Sequence, residues 1–143
     1  MFAGNKYFLL FMFATSLVLG ACQSISTNGV GEEVSIEGGS YRVVSVQELQ
    51  SMLEDKDFTM INVHIPWQGD IQQTDFRLAY DQIVENQDQL PAEKDAKILV
   101  YCLTSGMAKK AVASLVDLGY TNVWMLDGGT TAWEEAGLTL DKE

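Results

Sequence analysis

The chain has 143 residues, and its 9 basic and 20 acidic side chains give a net charge of −11. This length fits one domain once any processed segment is removed. The acidity excludes nucleic acid as a partner and excludes electrostatic binding to anionic lipid, because both attract basic surfaces. One histidine, His64, and two cysteines cannot supply a familiar set of metal ligands, so the sequence predicts no metal site.

The N-terminus has the pattern of an export signal. Residues 1–21 carry one cation, Lys6, followed by an apolar stretch that is short for a membrane span. Residues 19–22 (Leu-Gly-Ala-Cys) resemble the lipobox of bacterial lipoproteins. The resemblance implies cleavage before Cys22, lipidation of its thiol, and export to a bacterial membrane facing the periplasm or the cell exterior. Simple signal cleavage and an uncleaved anchor are the alternatives.

Residues 22–40 are polar, acidic and rich in Gly and Ser, which predicts a flexible tether between a lipidated Cys22 and a domain over residues 41–143. Removal of residues 1–21 takes away Lys6 and no acid, so the net charge becomes −12 rather than −11. Membrane attachment must therefore come from the lipid and not from charge.

Within the domain, short apolar runs alternate with segments of helical periodicity. Strands are predicted at 41–44, 58–63, 98–101 and 123–126, and helices after the capping-box residues 45–48 and at 80–90, 107–118 and 130–136, with a long loop at 64–78. The strands are apolar throughout rather than alternating in polarity. Both features predict an α/β fold with a parallel sheet covered by helices on both faces.

Cys102 follows the apolar run 98–101 and precedes a short loop and a predicted helix. Ligands of parallel α/β sheets bind outside the carboxyl ends of the strands, and Cys102 lies at such an end. With Cys22 acylated, Cys102 has no intramolecular partner, and a leftover thiol in an exported protein is a candidate nucleophile. The alternative is an inert cysteine of the core.

Several short motifs surround this cysteine at a defined spacing. They are residues 60–66 (Met-Ile-Asn-Val-His-Ile-Pro), 100–102 (Val-Tyr-Cys), 118–123 (Leu-Gly-Tyr-Thr-Asn-Val), 127–129 (Asp-Gly-Gly) and 132–133 (Ala-Trp). Together they resemble a rhodanese-like domain over residues 43–138. The resemblance implies a thiolate at Cys102 that takes a sulfane sulfur from a donor such as thiosulfate. The resulting persulfide passes the sulfur to cyanide or a thiol, and no cofactor is required.

The active-site loop of the family maps onto Leu103, Thr104, Ser105, Gly106 and Met107, which the resemblance makes the substrate-binding residues. Consecutive backbone amides of such a loop can form an anion-binding nest, and the helix that follows brings its positive end close to the sulfur. Thr104 and Ser105 add hydroxyl donors, and Gly106 allows a positive φ. We therefore expect main-chain dipoles to stabilise a sulfur anion at Cys102.

The loop departs from the family pattern in its charge. Leu103 stands where related loops carry an arginine, and no cation lies between Cys102 and Ala108. Without a guanidinium to hold a sulfonate, thiosulfate is disfavoured as the natural donor relative to a neutral or protein-bound persulfide. Lys109 and Lys110 are the nearest cations, and Lys109 is a candidate pocket residue. Ala108, where related phosphatases and arsenate reductases carry an arginine, argues against phosphoryl transfer.

His64 and Trp67 follow the strand predicted at 58–63 and are candidate pocket residues. His64 either orders the long loop through a hydrogen bond or lines the mouth of the site, where it would bind an anion or shuttle a proton. Trp67 either covers the pocket or shields the core.

Two functions remain open at this stage. The first is a lipid-anchored, monomeric sulfurtransferase whose partners are a small sulfur donor or protein persulfide and a thiol acceptor. The second is a binding or redox-sensing module that keeps the fold and the thiol of Cys102 without efficient turnover.

Overall fold

The computed structural model describes residues 29–143. These residues form one six-stranded sheet in the order β1-β2-β6-β5-β3-β4, in which β1 is antiparallel to β2 and the other neighbours are parallel. The strands are β1 (Glu32–Ile36), β2 (Gly39–Val44), β3 (Thr59–Asn62), β4 (Phe76–Arg77), β5 (Ile98–Tyr101) and β6 (Val123–Leu126). The helices are α1 (Val46–Glu54), α2 (Gly106–Asp117) and α3 (Gly129–Glu135), with a single 3-10 turn at Gln87–Gln89. Of the helices in this part of the chain, none has the length and apolarity to cross a bilayer.

Helices cover both faces of the sheet, as the sequence predicts. Every residue of β5 and β6 is buried. Along β5, Ile98 and Val100 join the core on the α2 face, and Leu99 and Tyr101 join the core beneath α1 and α3. The next residue, Cys102, belongs to the α2 side. The alternation of the pleat therefore directs the cysteine toward the helix that follows it.

The start of α1 confirms the predicted capping box. The Ser45 hydroxyl accepts from the Glu48 amide, and the Glu48 carboxylate accepts from the Ser45 amide. The same carboxylate accepts from the amide of Gly31. The amides of Ser45 and Gly31 hold the pKa of Glu48 below its ordinary value. The cap thus fixes both the helix and the chain that enters β1.

The predicted helix at residues 80–90 is wrong. The structure has turns there and the short 3-10 segment Gln87–Gln89. Ile83 is buried but Val84 is half exposed, so the segment lacks the apolar stripe that a helix buries. The backbone amide and the side chain of Asn86 both donate to the Gln82 carbonyl, which closes one turn that the following residues do not continue as an α-helix.

The boundary between tether and domain is also corrected. Residues 32–36, predicted to belong to the tether at 22–40, form β1, which pairs with β2 through five residue pairs. The domain therefore begins before residue 41, because the polar, half-exposed sequence of an edge strand carries no clear apolar pattern. The predicted signal segment 1–21 and the lipidated Cys22 lie outside the described residues.

Candidate active site

Cys102 lies directly after β5, between the ends of β3 and β6. The Val63 amide donates to the Tyr101 carbonyl, which extends the β3–β5 pairing to the cysteine. Residues 62–64 leave β3 on one side of the loop, and residues 127–129 leave β6 on the other. The fold thus gathers three strand ends at the carboxyl edge of the sheet, where parallel α/β folds bind ligands.

The sulfur of Cys102 lies at the N-terminus of α2. The Ala108 amide donates to Sγ at 3.4 Å instead of to a backbone carbonyl one turn earlier. Cys102 is only 1% exposed and is free of any disulfide. A sulfur anion here meets a backbone N–H and the positive end of a 12-residue helix. Sγ is therefore deeply placed but faces dipoles of the favourable sign.

The carbonyl groups of Cys102 and Leu103 accept hydrogen bonds from α3. The Thr130 amide donates to the Cys102 carbonyl and the Thr131 amide to the Leu103 carbonyl, both at 2.9 Å. In contrast, none of the amides of residues 103–107 donates to any other group within residues 29–143. Five consecutive N–H groups in the loop that follows the cysteine are thus without an acceptor among the described residues, and such groups can donate to an anionic ligand.

Ser105 braces the loop against the β6–α3 turn. Its hydroxyl donates to the Asp127 carboxylate at 3.2 Å and accepts from the Gly128 amide at 3.0 Å. Thr104 is exposed, and Leu103 and Met107 are half buried. Gly106 begins α2 and has no positive φ, contrary to the freedom expected of it. The loop shape therefore comes from its ties to the next turn.

Gly129 allows that close approach. Its φ is +57°, and a Cβ atom added there would lie 2.1 Å from the Cys102 carbonyl oxygen and 2.6 Å from that of Thr104. Only glycine permits the two backbone segments to come so near. The Asp-Gly-Gly motif thus shapes the active-site loop from outside it.

His64 stands at the same edge of the sheet, after β3. Its amide donates to the Asn62 side chain, and its two ring nitrogens are buried without a hydrogen-bond partner within the described residues. Burial lowers the pKa of His64, so the imidazole is neutral near pH 7. The ring makes no loop-ordering hydrogen bond; the backbone of this residue does.

Trp67 packs beneath Arg77, which lies in β4. The Arg77 guanidinium lies 3.7 Å from the centre of the Trp67 ring and forms an ion pair with Asp70. Burial acts to raise the pKa of Asp70, but hydrogen bonds from Arg77 and Asn62 hold it below its ordinary value. This cluster orders the segment between β3 and β4.

Lys109 and Lys110 have different neighbours around α2. Lys109 lines a cavity of about 600 Å³ with Ile36 and Tyr41 of the β1–β2 hairpin. The Lys110 ammonium lies 5.2 Å from the centre of the Tyr80 ring. Lys109 is thus brought to the hairpin and not to the cysteine loop. Across residues 29–143, no group of three or more His, Cys, Asp and Glu side chains is placed to hold a metal.

The family model that describes the rhodanese-like domain matches residues 45–136. The chain belongs to this family. Among curated proteins, a thiosulfate sulfurtransferase (GlpE) of Vibrio cholerae is 27% identical over 100 residues, which are 68% of this chain and 92% of that protein. A tRNA uridine(34) hydroxylase of Bdellovibrio bacteriovorus is 28% identical over 112 residues, which are 73% of this chain but 31% of the hydroxylase.

Solved structures share the fold of this rhodanese-like domain. A rhodanese-related protein of Thermoplasma volcanium superposes with a TM-score of 0.61 at 25% identity, over 72% of this chain and all of that one. A rhodanese-like domain protein of Staphylococcus aureus superposes with a TM-score of 0.58 at 22% identity, over 70% of this chain and 98% of that one. The second likeness shows the fold alone.

Sequence reasoning about the rhodanese-like domain missed several parts of the site. The amide that reaches Sγ belongs to Ala108, one residue beyond the loop expected to supply it. The tie from Ser105 to Asp127, and the α3 amides that hold the loop carbonyls, join segments distant in sequence. No local pattern signals these contacts, although the Asp-Gly-Gly motif marks the turn that makes them.

Proposed function

We propose that the protein is a sulfurtransferase in which Cys102 carries a sulfane sulfur as a persulfide. The observation that supports this most is the position of Sγ at the N-terminus of α2, hydrogen-bonded to the Ala108 amide and followed by five amides without protein acceptors. The Vibrio cholerae relative, named a thiosulfate sulfurtransferase, supports the same chemistry. No cofactor takes part.

In the first half-reaction the Cys102 thiolate attacks the outer sulfur of the donor. With thiosulfate, a new S–S bond forms to Sγ as the S–S bond of the donor breaks, and its electron pair leaves with sulfite. The product is the Cys102 persulfide anion. The outer sulfur of the persulfide extends beyond Sγ toward the free amides of residues 103–107, which stabilise its charge.

In the second half-reaction an acceptor attacks the outer sulfur of the persulfide. Cyanide leaves as thiocyanate, and a thiolate leaves as a new persulfide. The bond between Sγ and the outer sulfur breaks, and the electron pair returns to Cys102 as thiolate. The donor half and the acceptor half are separated by the covalent intermediate, so the reaction follows a ping-pong scheme.

A second function is favoured by one observation, the 1% exposure of Cys102. A thiol this deeply placed, in a loop without a cation, fits a redox-sensing or binding module that reacts with small oxidants and does not turn over. A sulfurtransferase consumes a sulfur donor and an acceptor over many cycles, whereas the sensing or binding module does not.

We further propose that the chain is exported and anchored to a membrane by lipid on Cys22, and acts as a monomer with a small or protein-bound sulfur donor and a thiol acceptor. The support is the sequence of residues 1–22. Expression of the chain in bacteria should place it in the membrane fraction, and Cys22→Ser should release it to the soluble fraction. A wild-type chain that is soluble without lipid removes this proposal.

Steady-state turnover tests the proposed function. The full-length chain in detergent is supplied with thiosulfate or glutathione persulfide, and with cyanide as acceptor, while thiocyanate is measured. We expect turnover in the wild type and loss of at least about 1,000-fold in Cys102→Ser, since the nucleophile is gone. Cys22→Ser is the matched control and keeps the wild-type rate. A wild type without turnover, whose Cys102 is still oxidised by peroxide, identifies the sensing module instead.

A further inference from the structure

The active-site loop is joined by hydrogen bonds to the α3 turn on one side and lies next to the segment after β3 on the other. On the β6 side, hydrogen bonds from Thr130, Thr131 and Gly128 join the loop to the α3 turn. On the β3 side, the Tyr80 amide donates to the Val63 carbonyl, and the Val63 amide donates to the Tyr101 carbonyl next to Cys102. Tyr80 is therefore two backbone hydrogen bonds away from the cysteine strand.

Lys110 brings a positive charge to the β3 side of the loop, where Tyr80 lies. It lies in α2 one turn after the residues that begin the helix, and its ammonium is held over the Tyr80 ring, 5.2 Å from the ring centre. A cation over an aromatic face is attracted by the negative face of the ring, which keeps the long side chain in one region. Both Tyr80 and Met107 pack against the core cluster that contains Cys102 and Ala108.

The charge of Lys110 is free to act on a ligand. The ion pairs within residues 29–143 join Lys56 to Asp75, Arg77 to Asp70 and Lys97 to Asp57, and none involves Lys110. The side chain is exposed. In a protein with 20 acidic residues, a cation without an ion pair in the described residues, held over Tyr80, is a group that would attract a donor anion.

We propose that Lys110, held by Tyr80, supplies the positive charge missing from the active-site loop and binds the anionic end of a thiosulfonate-type sulfur donor. This inference rests on the proposed sulfur transfer and names the charge class of its donor. Lys110 is a specificity-determining residue, because it binds the part of the donor that leaves. A lysine acts as a point charge, so it selects for charge and not for the geometry of the anion.

Two donors of different charge test this selection. Thiosulfate is a dianion, and methanethiosulfonate, which leaves as methanesulfinate, is a monoanion. An exposed pair of unit charges shifts binding by up to about fivefold, so Lys110→Met should raise the KM for methanethiosulfonate about threefold. The Coulomb energy doubles for a dianion, so the KM for thiosulfate should rise by about the square of that factor, roughly tenfold. Turnover at saturation should change less than about twofold. Lys110→Arg should keep the wild-type KM values, and raised salt should shrink the difference.

Lys109→Met is the matched control, because it removes the same charge from the adjacent residue on the hairpin side of α2. It should keep both KM values within about twofold of the wild type. Equal changes in KM for Lys109→Met and Lys110→Met would show a general effect of net charge and overturn the inference. Unchanged KM values in Lys110→Met would overturn it as well.

A second measurement does not need turnover. Iodoacetate is anionic and iodoacetamide is neutral, and their rates of alkylation at Cys102 can be followed by mass spectrometry of the peptide that contains it. We expect Lys110→Met to lower the ratio of the two rates about fivefold and Lys109→Met to leave it unchanged. A lowered ratio without turnover would support the role of Lys110 in attracting anions and would contradict the proposed sulfurtransferase activity. Turnover with an unchanged ratio would support the proposed sulfurtransferase activity and would contradict the role of Lys110.

Discussion

At the scale of single residues, the position of Cys102 and its loop depends on groups that lie outside the loop. The loop residues were predictable, because a cysteine at the end of an apolar run is visible in the sequence. Their roles were less so. Ser105 was expected to offer its hydroxyl to a ligand, but that hydroxyl is engaged by Asp127 and Gly128. These partners are more than twenty positions away, so neither spacing nor propensity could identify them.

Gly129 gives the sharpest test of how the loop is shaped. In Gly129→Ala the new methyl group would meet the Cys102 and Thr104 carbonyls, so the loop or α3 must move. We expect a loss of about 3 kcal/mol in the free energy of unfolding, measured by urea denaturation. Gly137→Ala is the control, because Gly137 has φ of +81° but open space around it, and it should lose only about 1 kcal/mol. Equal losses in the two variants would mean that the space between Gly129 and the carbonyls of the cysteine loop admits a methyl group.

Tyr101, the residue before Cys102, holds the segment after β3 through its hydroxyl. That hydroxyl accepts from the Ile71 amide at 2.9 Å and pairs with Thr74 at 2.8 Å. Tyr101→Phe leaves the buried Ile71 amide without an acceptor and should cost about 2 kcal/mol. Tyr41→Phe is the control, since the buried Tyr41 makes no side-chain hydrogen bond within the described residues, and it should be nearly neutral.

The same tyrosine gives a pH dependence. Burial raises the pKa of Tyr101 from its ordinary value of 10.0 to about 12. The folded state therefore holds this proton more tightly than the unfolded state, and stability is lost as the pH rises from 10 to 12. Unfolding free energies measured across this range should fall more steeply in the wild type than in Tyr101→Phe. Parallel curves would contradict the buried position of the hydroxyl.

At the scale of elements, patterns of buried residues predicted the parts that position the site. The strands β5 and β6 lie where their apolar runs predict, since a strand covered on both faces must be apolar throughout. The edges were harder. Residues 32–36 pair as an edge strand with little burial, and residues 80–90 have helix-forming composition but no stripe to bury. Both outcomes depend on neighbours that a local pattern does not contain.

The N-terminal cap of α1 also holds the chain just before β1, and its contribution to stability can be measured with one substitution. Ser45→Ala removes the hydroxyl that accepts from the Glu48 amide and should lower the free energy of unfolding by about 1 kcal/mol. Thermal denaturation followed by circular dichroism gives the change. Ser51→Ala, an exposed position in the same helix, should have no cost, because alanine favours the helix. If both variants behave alike, the cap adds no stability.

At the scale of the whole molecule, the net negative charge opposes the binding of the anionic donors that the proposed reaction uses. Net charge of −11 repels anions in general, whereas the loop amides, the α2 N-terminus and Lys110 attract them at one place. Such a surface admits anionic sulfur compounds only where the local field is reversed.

The central claim is that Cys102 holds a transferable sulfur, and the mass of the trapped intermediate tests it most directly. The full-length chain is treated with thiosulfate without acceptor, and the peptide that contains Cys102 is measured. We predict an added mass of one sulfur atom on Cys102, which disappears when cyanide is added and never forms in Cys102→Ser. An unmodified Cys102 after treatment, or a sulfur adduct that cyanide does not discharge, would contradict the account.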